Sequence, residues 1–221
     1  MTLGLEIDLL RNYPKAKRNL AERAAEKTEE DRRVARMFDE RFFDGERRTG
    51  YGGFNYNSRF WQPVVPTFVD HWGLTAGMKV LDVGCAKGFM MHDLCEGVPG
   101  IQVTGIDISE YAISNCIESM RENVQVGNAK KLDFPDNSFD VTISINTIHN
   151  LELDECIMAL KEIERVSQLG SFITVDAYRS DEEKERMFAW NLTARTILSV
   201  EEWLSVFEEA GYTGDFYWFI P

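Results

Sequence analysis

Long apolar runs are missing from this 221-residue chain: no stretch reaches the roughly 18 consecutive apolar residues that cross a bilayer, so no membrane partner is expected. Cysteine is scarce and unpatterned. Cys85, Cys95, Cys116 and Cys156 form no C-x-x-C pair and no metal-type spacing, which leaves free thiols and no metal as the expectation. Basic residues are outnumbered, 24 Lys and Arg against 37 Asp and Glu, and the net charge of −13 has the wrong sign for a nucleic-acid partner. The one basic cluster, Lys15-Ala16-Lys17-Arg18, runs into Glu22, Glu26, Glu29, Glu30 and Asp31 and reads as a solvated helix face. A charged-then-apolar leader is absent from the N-terminus, so a cytoplasmic location is expected. H-E-x-x-H, G-x-S-x-G and P-loop patterns are lacking as well, which removes metalloprotease, serine hydrolase and NTPase readings. What the chain does have is core-forming material, 44% hydrophobic and 12% aromatic, enough for one folded domain with an added segment.

The most informative stretch is Val80-Leu81-Asp82-Val83-Gly84-Cys85-Ala86-Lys87-Gly88-Phe89. It reads as a buried strand entering a small-residue turn and then a helix, the arrangement in which backbone and helix N-terminus approach a nucleotide-type ligand. As a dinucleotide fingerprint, Gly84-x-Ala86-x-x-Phe89 would lack two of three glycines. Val103-Thr104-Gly105-Ile106-Asp107-Ile108-Ser109 then reads as a second strand ending in an acid, roughly 20 residues beyond the turn, where a carboxylate reaches ribose hydroxyls. Val124 to Ala129 ends a third strand, Val141 to Asn146 forms a fourth with Thr147-Ile148-His149-Asn150 at its end, and Gly170 to Tyr178 a fifth.

Asp82-x-Gly84-x-Ala86-x-Gly88, with the ordered motifs behind it and the linker Lys131 to Asp140, resembles the class I S-adenosylmethionine (SAM) dependent methyltransferases over about residues 78–178. The resemblance implies an α/β, Rossmann-like, doubly wound and mostly parallel sheet with an N-terminal helical cap. A cap with an aromatic loop would span 1–75, and a core 76–221 with a cap insertion at about 179–198. The family sheet ends in a sixth and an antiparallel seventh strand, yet only Thr213 to Phe219 follows the last helix here, so six or seven strands are expected. SAM is the implied cofactor and S-adenosylhomocysteine its product. The implied contacts are Asp82 to the ammonium, Gly84, Cys85, Ala86, Lys87 and Gly88 at the methionine end, Asp107 and Ile108 at the ribose, Asn128 and Ala129 at the adenine, and Asn146. Ala86 replaces the usual central glycine, which a methyl group satisfies if that backbone keeps φ below zero.

Before the first strand, Thr28-Glu29-Glu30-Asp31 reads as a capping box opening a helix with Val34, Met37, Phe38 and Phe42 on one face. A glycine- and aromatic-rich loop, Gly50 to Asn57, follows, and it is expected to meet the 181–198 insertion over the cleft. Candidate acceptor-binding residues are Tyr51, Tyr56, Arg59, Trp61, Asp176, Tyr178 and Trp190, with packing of the cap as the competing role for the aromatics. His149 is the candidate base, since imidazole titrates near working pH, with capping of the strand-to-helix turn as its alternative. His71 and His92 read as structural. The run Arg48 to Asn57 with Phe60-Trp61-Gln62-Pro63 resembles a subgroup of small bacterial methyltransferases associated with surface polysaccharide. It implies O-methylation of a small molecule: a sugar, a sugar nucleotide, or a phosphoryl or phosphoramidate group, with Arg47, Arg48, Arg59, Arg179 and Arg195 as cations for an anionic oxygen. A non-catalytic SAM-binding partner subunit and an NAD-dependent oxidoreductase are the alternatives from other classes. The oligomeric state is open, a homodimer being one option.

Overall fold

The computed structural model describes residues 3–14 and 27–221; the basic cluster at 15–18, with Glu22 and Glu26, lies outside them. Four strands and their crossovers build the first half of the sheet. β1 (Lys79–Val83) leads through the turn to α4 (Phe89–Gly97), and β2 (Gln102–Asp107) through α5 (Glu110–Ser114) to β3 (Val124–Val126). β4 (Phe139–Ile145) is followed by α6 (Leu153–Val166) and β5 (Ser167–Tyr178). The chain closes with α7 (Asp181–Trp190), the two-residue β6 (Leu198–Ser199), α8 (Val200–Ala210) and β7 (Asp215–Phe219). The order is β3-β2-β1-β4-β5, with β7 beside β5 over Phe172 to Asp176 and β6 beside it at Ala177 and Tyr178, giving the seven strands of a doubly wound sheet.

β7 pairs with β5 in parallel, where the resemblance implies an antiparallel last strand. The cause is the connection: β5 returns to β7 through helices, and a helical crossover lays the next strand parallel. Outside β7 runs the start of the described chain. Glu6 bridges Phe216 in parallel, Ile7 N–H donates to Phe216 O at 2.9 Å, and Phe216 N–H donates to Leu5 O at 3.0 Å. Asp215 secures this edge by accepting Leu5 N–H at 2.7 Å on one oxygen and facing His71 Nε2 at 2.7 Å with the other.

Both faces of the sheet are covered, which is why the strands read as continuous apolar runs rather than alternating ones. On one face, Leu81, Val83, Ile173 and Val175 pack under Leu160 and Ile163 of α6 and Trp203 and Phe207 of α8. On the other, Val80, Val103, Ile143 and Phe172 pack under α4 and α3 (Val65–Trp72), with Phe68, Met91 and Leu94. The N-terminal helix reading needs correction. The capping box forms as expected, but α1 (Glu29–Ala35) ends at Arg36, Phe38 takes φ 49°, and a separate short α2 (Glu40–Phe43) starts on the Asp39 cap. The break leaves Met37 57% exposed while Phe43 is buried, so the four residues do not form one helical face.

Trp203 joins packing to the site above it: it is fully buried and its Nε1–H donates to Asp176 O at 2.9 Å, at the end of β5. Trp203→Ala is therefore expected to cost about 3–5 kcal/mol, the range for truncating a large buried aromatic, measured by urea unfolding. A loss under about 1 kcal/mol would mean that α8 does not hold the end of β5 as described.

Candidate functional site

The carboxyl ends of the parallel strands open into one cavity of about 1210 Å³, lined from β1, β2, β4, β5 and β7 and from the N-terminal segments. This is where an open α/β sheet binds ligands. Asp82, Gly84, Cys85, Ala86, Asp107, Ile108, Asn128, Ala129 and Asn146 all line it. Gly84 has φ 90°, and a Cβ there would meet Thr147 Oγ1 at 2.0 Å, so conformation and space both require glycine. Ala86 corrects the expectation made for it. Its φ is +48°, left-handed despite the side chain, and its N–H donates to Asp107 Oδ2 at 2.8 Å. Such a residue costs on the order of 1–2 kcal/mol and persists only where its surroundings fix it.

Asp107 takes the Ser109 N–H on its other oxygen, also at 2.8 Å, so one carboxylate ties the turn after β1 to the start of α5. Burial raises its pKa against three backbone N–H groups that lower it. Asp82 lies deeper, and no hydrogen bond among the described residues offsets its burial. Desolvation, with the like charge of Asp107 second, pushes it up to about 8. A buried carboxyl of this kind fits a cationic ligand group, and the SAM ammonium supplies one. Asn146, at φ 52°, is held by its N–H and Oδ1 to Thr174 Oγ1, both at 2.9 Å. Asn128 Oδ1 accepts Lys130 N–H at 3.1 Å and lines the cavity beside Ala129.

Two expected cofactor residues are absent from the cavity wall. Lys87 turns outward to Asp44 Oδ2 at 2.6 Å and to Phe54 O at 3.0 Å. Gly88 is the N-cap of α4 at φ 76°, where a Cβ would lie 2.9 Å from Cys116 Sγ. Both serve the turn rather than line the ligand space.

Trp61, Asp176 and Trp190 line the cavity together with His149, and Tyr51 lines it from the 50–57 loop beside Phe43 and Phe54. Tyr56, Arg59 and Tyr178 are corrections. Tyr56 Oη donates to Asp93 Oδ1 at 2.6 Å on α4, Arg59 lies 4.6 Å from the Phe60 ring centroid, and Tyr178 Oη reaches Glu202 at 3.4 Å. His149 is 4% exposed, and its Nδ1 accepts the Asp176 N–H at 2.9 Å. That bond places the imidazole proton on Nε2, 3.7 Å from Asp176 Oδ1, and burial lowers the pKa so the ring is neutral. A base needs a free lone pair toward the substrate, whereas this tautomer presents a donor. The expected base role of His149 is corrected on that ground.

The cap closes differently from the expectation as well. It is α1 and the residues around it that tie down the insertion: Lys27 Nζ donates to Trp190 O, Arg32 Nε to Asn191 O at 3.4 Å, and Arg36 to Thr193 O and Ala194 O, both at 3.2 Å. The 50–57 loop turns onto the cofactor end, where Phe54 stacks on Phe89 at 5.0 Å. Sequence reasoning missed three groups of lining residues: Asp8, Leu10 and Tyr13; Phe38, Phe42 and Phe43; and Tyr217 to Phe219. The aromatic run of β7 was the available signal, and a parallel direction for that strand would have pointed its end into the cleft.

If Asp82 holds the ammonium, it must ionise as ligand binds. SAM affinity is then expected to rise on the order of tenfold per pH unit toward about 8 and level off above it, with proton release on binding at pH 7. Over the same rise the empty protein loses stability, because the unfolded chain ionises at the ordinary carboxylate value while the folded one is still protonated. Calorimetry in buffers of different ionisation enthalpy reads the proton directly. A pH-independent dissociation constant from pH 6 to about 8 would remove Asp82 from the ammonium site.

Comparison with known proteins agrees with this geometry. A family model described as a methyltransferase domain matches residues 74–211. The chain is 30% identical over 158 residues to a sterol 24-C-methyltransferase of Gibberella zeae, covering 63% of this chain and 40% of that protein. It is 28% identical over 188 residues to phosphoethanolamine N-methyltransferase 3 of Arabidopsis thaliana, covering 78% and 38%. It thus spans about two fifths of the length of these two relatives. Among solved structures, the [4+2]-cyclase SpnF matches with TM-score 0.55 and 25% identity over 68% of this chain and 56% of that one. The YcgJ protein from Bacillus subtilis, at TM-score 0.54 and 21% identity over 66% of each chain, shares the fold. The chain belongs to the methyltransferase-domain family, the class I SAM-dependent methyltransferases.

Proposed function

We propose that the protein methylates an oxygen of a small hydroxyl-bearing acceptor, with a sugar or sugar nucleotide of surface polysaccharide biosynthesis as the class the sequence resemblance implies. The observation that carries this reading is the Asp176 carboxylate, 7% exposed, in the cavity wall beside neutral His149. When bound, SAM supplies a methyl group already activated by its sulfonium. A neutral hydroxyl needs its proton removed as it attacks, and Asp176 is the group that accepts it. His149 Nε2–H stabilises the carboxylate's orientation, and its Nδ1 bond to the Asp176 amide fixes the ring. Most of the rate enhancement comes from holding the reacting atoms about 3–3.5 Å apart. The aromatic walls from Tyr13, Trp61, Trp190 and Tyr217 suit the flat faces of a ring and exclude water.

An anionic phosphoryl or phosphoramidate oxygen receives less support, because among the described residues the basic side chains of the cavity wall are committed. Lys130 pairs with Glu155, Arg179 with Glu6, Arg195 with Glu152, and Arg36 donates to backbone carbonyls. An amine acceptor is the second reading. Asp8 and Asp176 both line the cavity among aromatic rings, a setting that favours a cation, and an ammonium must also give up its proton before attack.

A panel of sugars, sugar nucleotides and amines incubated with SAM and read by mass shift is expected to give a +14 Da product with a hydroxyl compound. With that acceptor, Asp176→Asn should lower the rate of chemistry by about 10²–10⁴-fold with SAM affinity intact. Methylation of amines alone would replace the hydroxyl reading with the amine one. A loss under about threefold in Asp176→Asn would remove Asp176 as the proton acceptor.

A further inference from the structure

Three segments around the cofactor end are joined by one carboxylate that methyl transfer does not use. Asp44, the C-cap of α2, accepts Lys87 Nζ at 2.6 Å and Tyr111 Oη at 2.7 Å on Oδ2, and the Phe54 N–H at 2.9 Å on Oδ1. Each partner belongs to a different segment around the cofactor end. Lys87 sits inside the cofactor turn, between Ala86, which bonds Asp107, and Gly88, which starts α4. Tyr111 is on α5, whose N-cap Ser109 donates its amide to Asp107 and its hydroxyl to Phe38 O. Phe54 lines the cavity with Phe43 and Tyr51, and its carbonyl takes a second Lys87 hydrogen bond. Lys87 is 6% exposed, so its ion pair with Asp44 is largely shielded from water. The cap from Phe38 to Phe54 is thereby fastened by an ion pair to the same turn that carries the ligand-facing backbone.

We propose that Asp44 is a positioning residue that latches the 38–54 segment to the cofactor turn through Lys87, and so sets how long SAM and S-adenosylhomocysteine stay bound. Its link to the ligand is indirect: of its three partners Phe54 lines the cavity, while Lys87 and Tyr111 belong to the turn and helix behind the lining. Opening a path between turn and cap breaks the Lys87 pair and both other Asp44 bonds together, so release is slow while the latch is intact. The latch concerns cofactor residence alone and does not depend on the identity of the acceptor.

The test is the release rate of S-adenosylhomocysteine, followed by stopped-flow displacement with excess SAM. D44N keeps an acceptor for the Phe54 N–H but removes the charge, and release is expected to be about tenfold faster. Since D44N strands the Lys87 ammonium, K87M/D44N removes both charges together and keeps the experiment readable if the single variant does not fold. It is expected to release ligand at the same raised rate. V206A on α8, remote from the latch, controls for lost stability: it should lower Tm and leave release unchanged. Release within about twofold of wild type in K87M/D44N, or equal acceleration in V206A, would overturn the proposal.

Discussion

The Asp107 carboxylate is the constraint from which the rest of the site follows. Standing at the carboxyl end of β2, it accepts the Ala86 N–H on one oxygen and the Ser109 N–H on the other, both at 2.8 Å. The first bond holds Ala86 in a left-handed conformation that alanine does not adopt by preference, and so fixes the path of the turn between Gly84 and Gly88. The second fixes the start of α5 and with it Tyr111. Asp107 also lines the cavity, so one half-buried acid both shapes the turn and stands within reach of the ligand space. Its charge also reaches Asp82, whose pKa of about 8 owes most to burial and the remainder to this neighbour.

The cofactor end and the acceptor end use buried acids in different ways. Asp82 and Asp107 are two acids in one low-dielectric pocket, where burial and the neighbouring Asp107 keep Asp82 protonated below about pH 8, a setting that a cationic group would reverse. At the other end Asp176 is fixed through its backbone, its N–H donated to His149 and its carbonyl taken by Trp203. The side chain projects into the cavity from a residue with no freedom to drift. That division matters because the curated relatives carry names for methylation of carbon and of nitrogen, while the fold neighbour SpnF is named a cyclase. The sheet and turn are held in common, and the chemistry is set by what lines the acceptor end.

Much of this was legible in the sequence. The apolar strands, the glycine turn, the acid after β2 and the Thr28 capping box are local features, and local features survive folding. Other features depend on contacts that no local pattern encodes. Ala86 takes positive φ because of a carboxylate 21 residues away. His149 is a donor rather than a base because an amide on the neighbouring strand occupies its Nδ1. Lys87 sits among the cofactor residues in sequence and yet faces the cap, since Asp44 lies 43 residues upstream. The edge formed by Leu5 to Ile7 is too short to show any period, and only the parallel course of β7 gives it a partner. Tyr56 and Tyr178 were indistinguishable from Tyr51 by type, and their partners Asp93 and Glu202 decide where they point.

If Asp107 is both ligand contact and clamp, S-adenosylhomocysteine binding to Asp107→Asn, followed by calorimetry, shows it most directly. The amide keeps one acceptor oxygen but loses the charge and the second acceptor. The expected loss is about 1.5–3 kcal/mol of binding free energy, the range for hydrogen bonds to a charged group, in a variant whose circular dichroism is that of the folded protein. An unchanged dissociation constant in the folded variant would contradict the account, because it would place neither the ligand nor the turn under the control of that carboxylate.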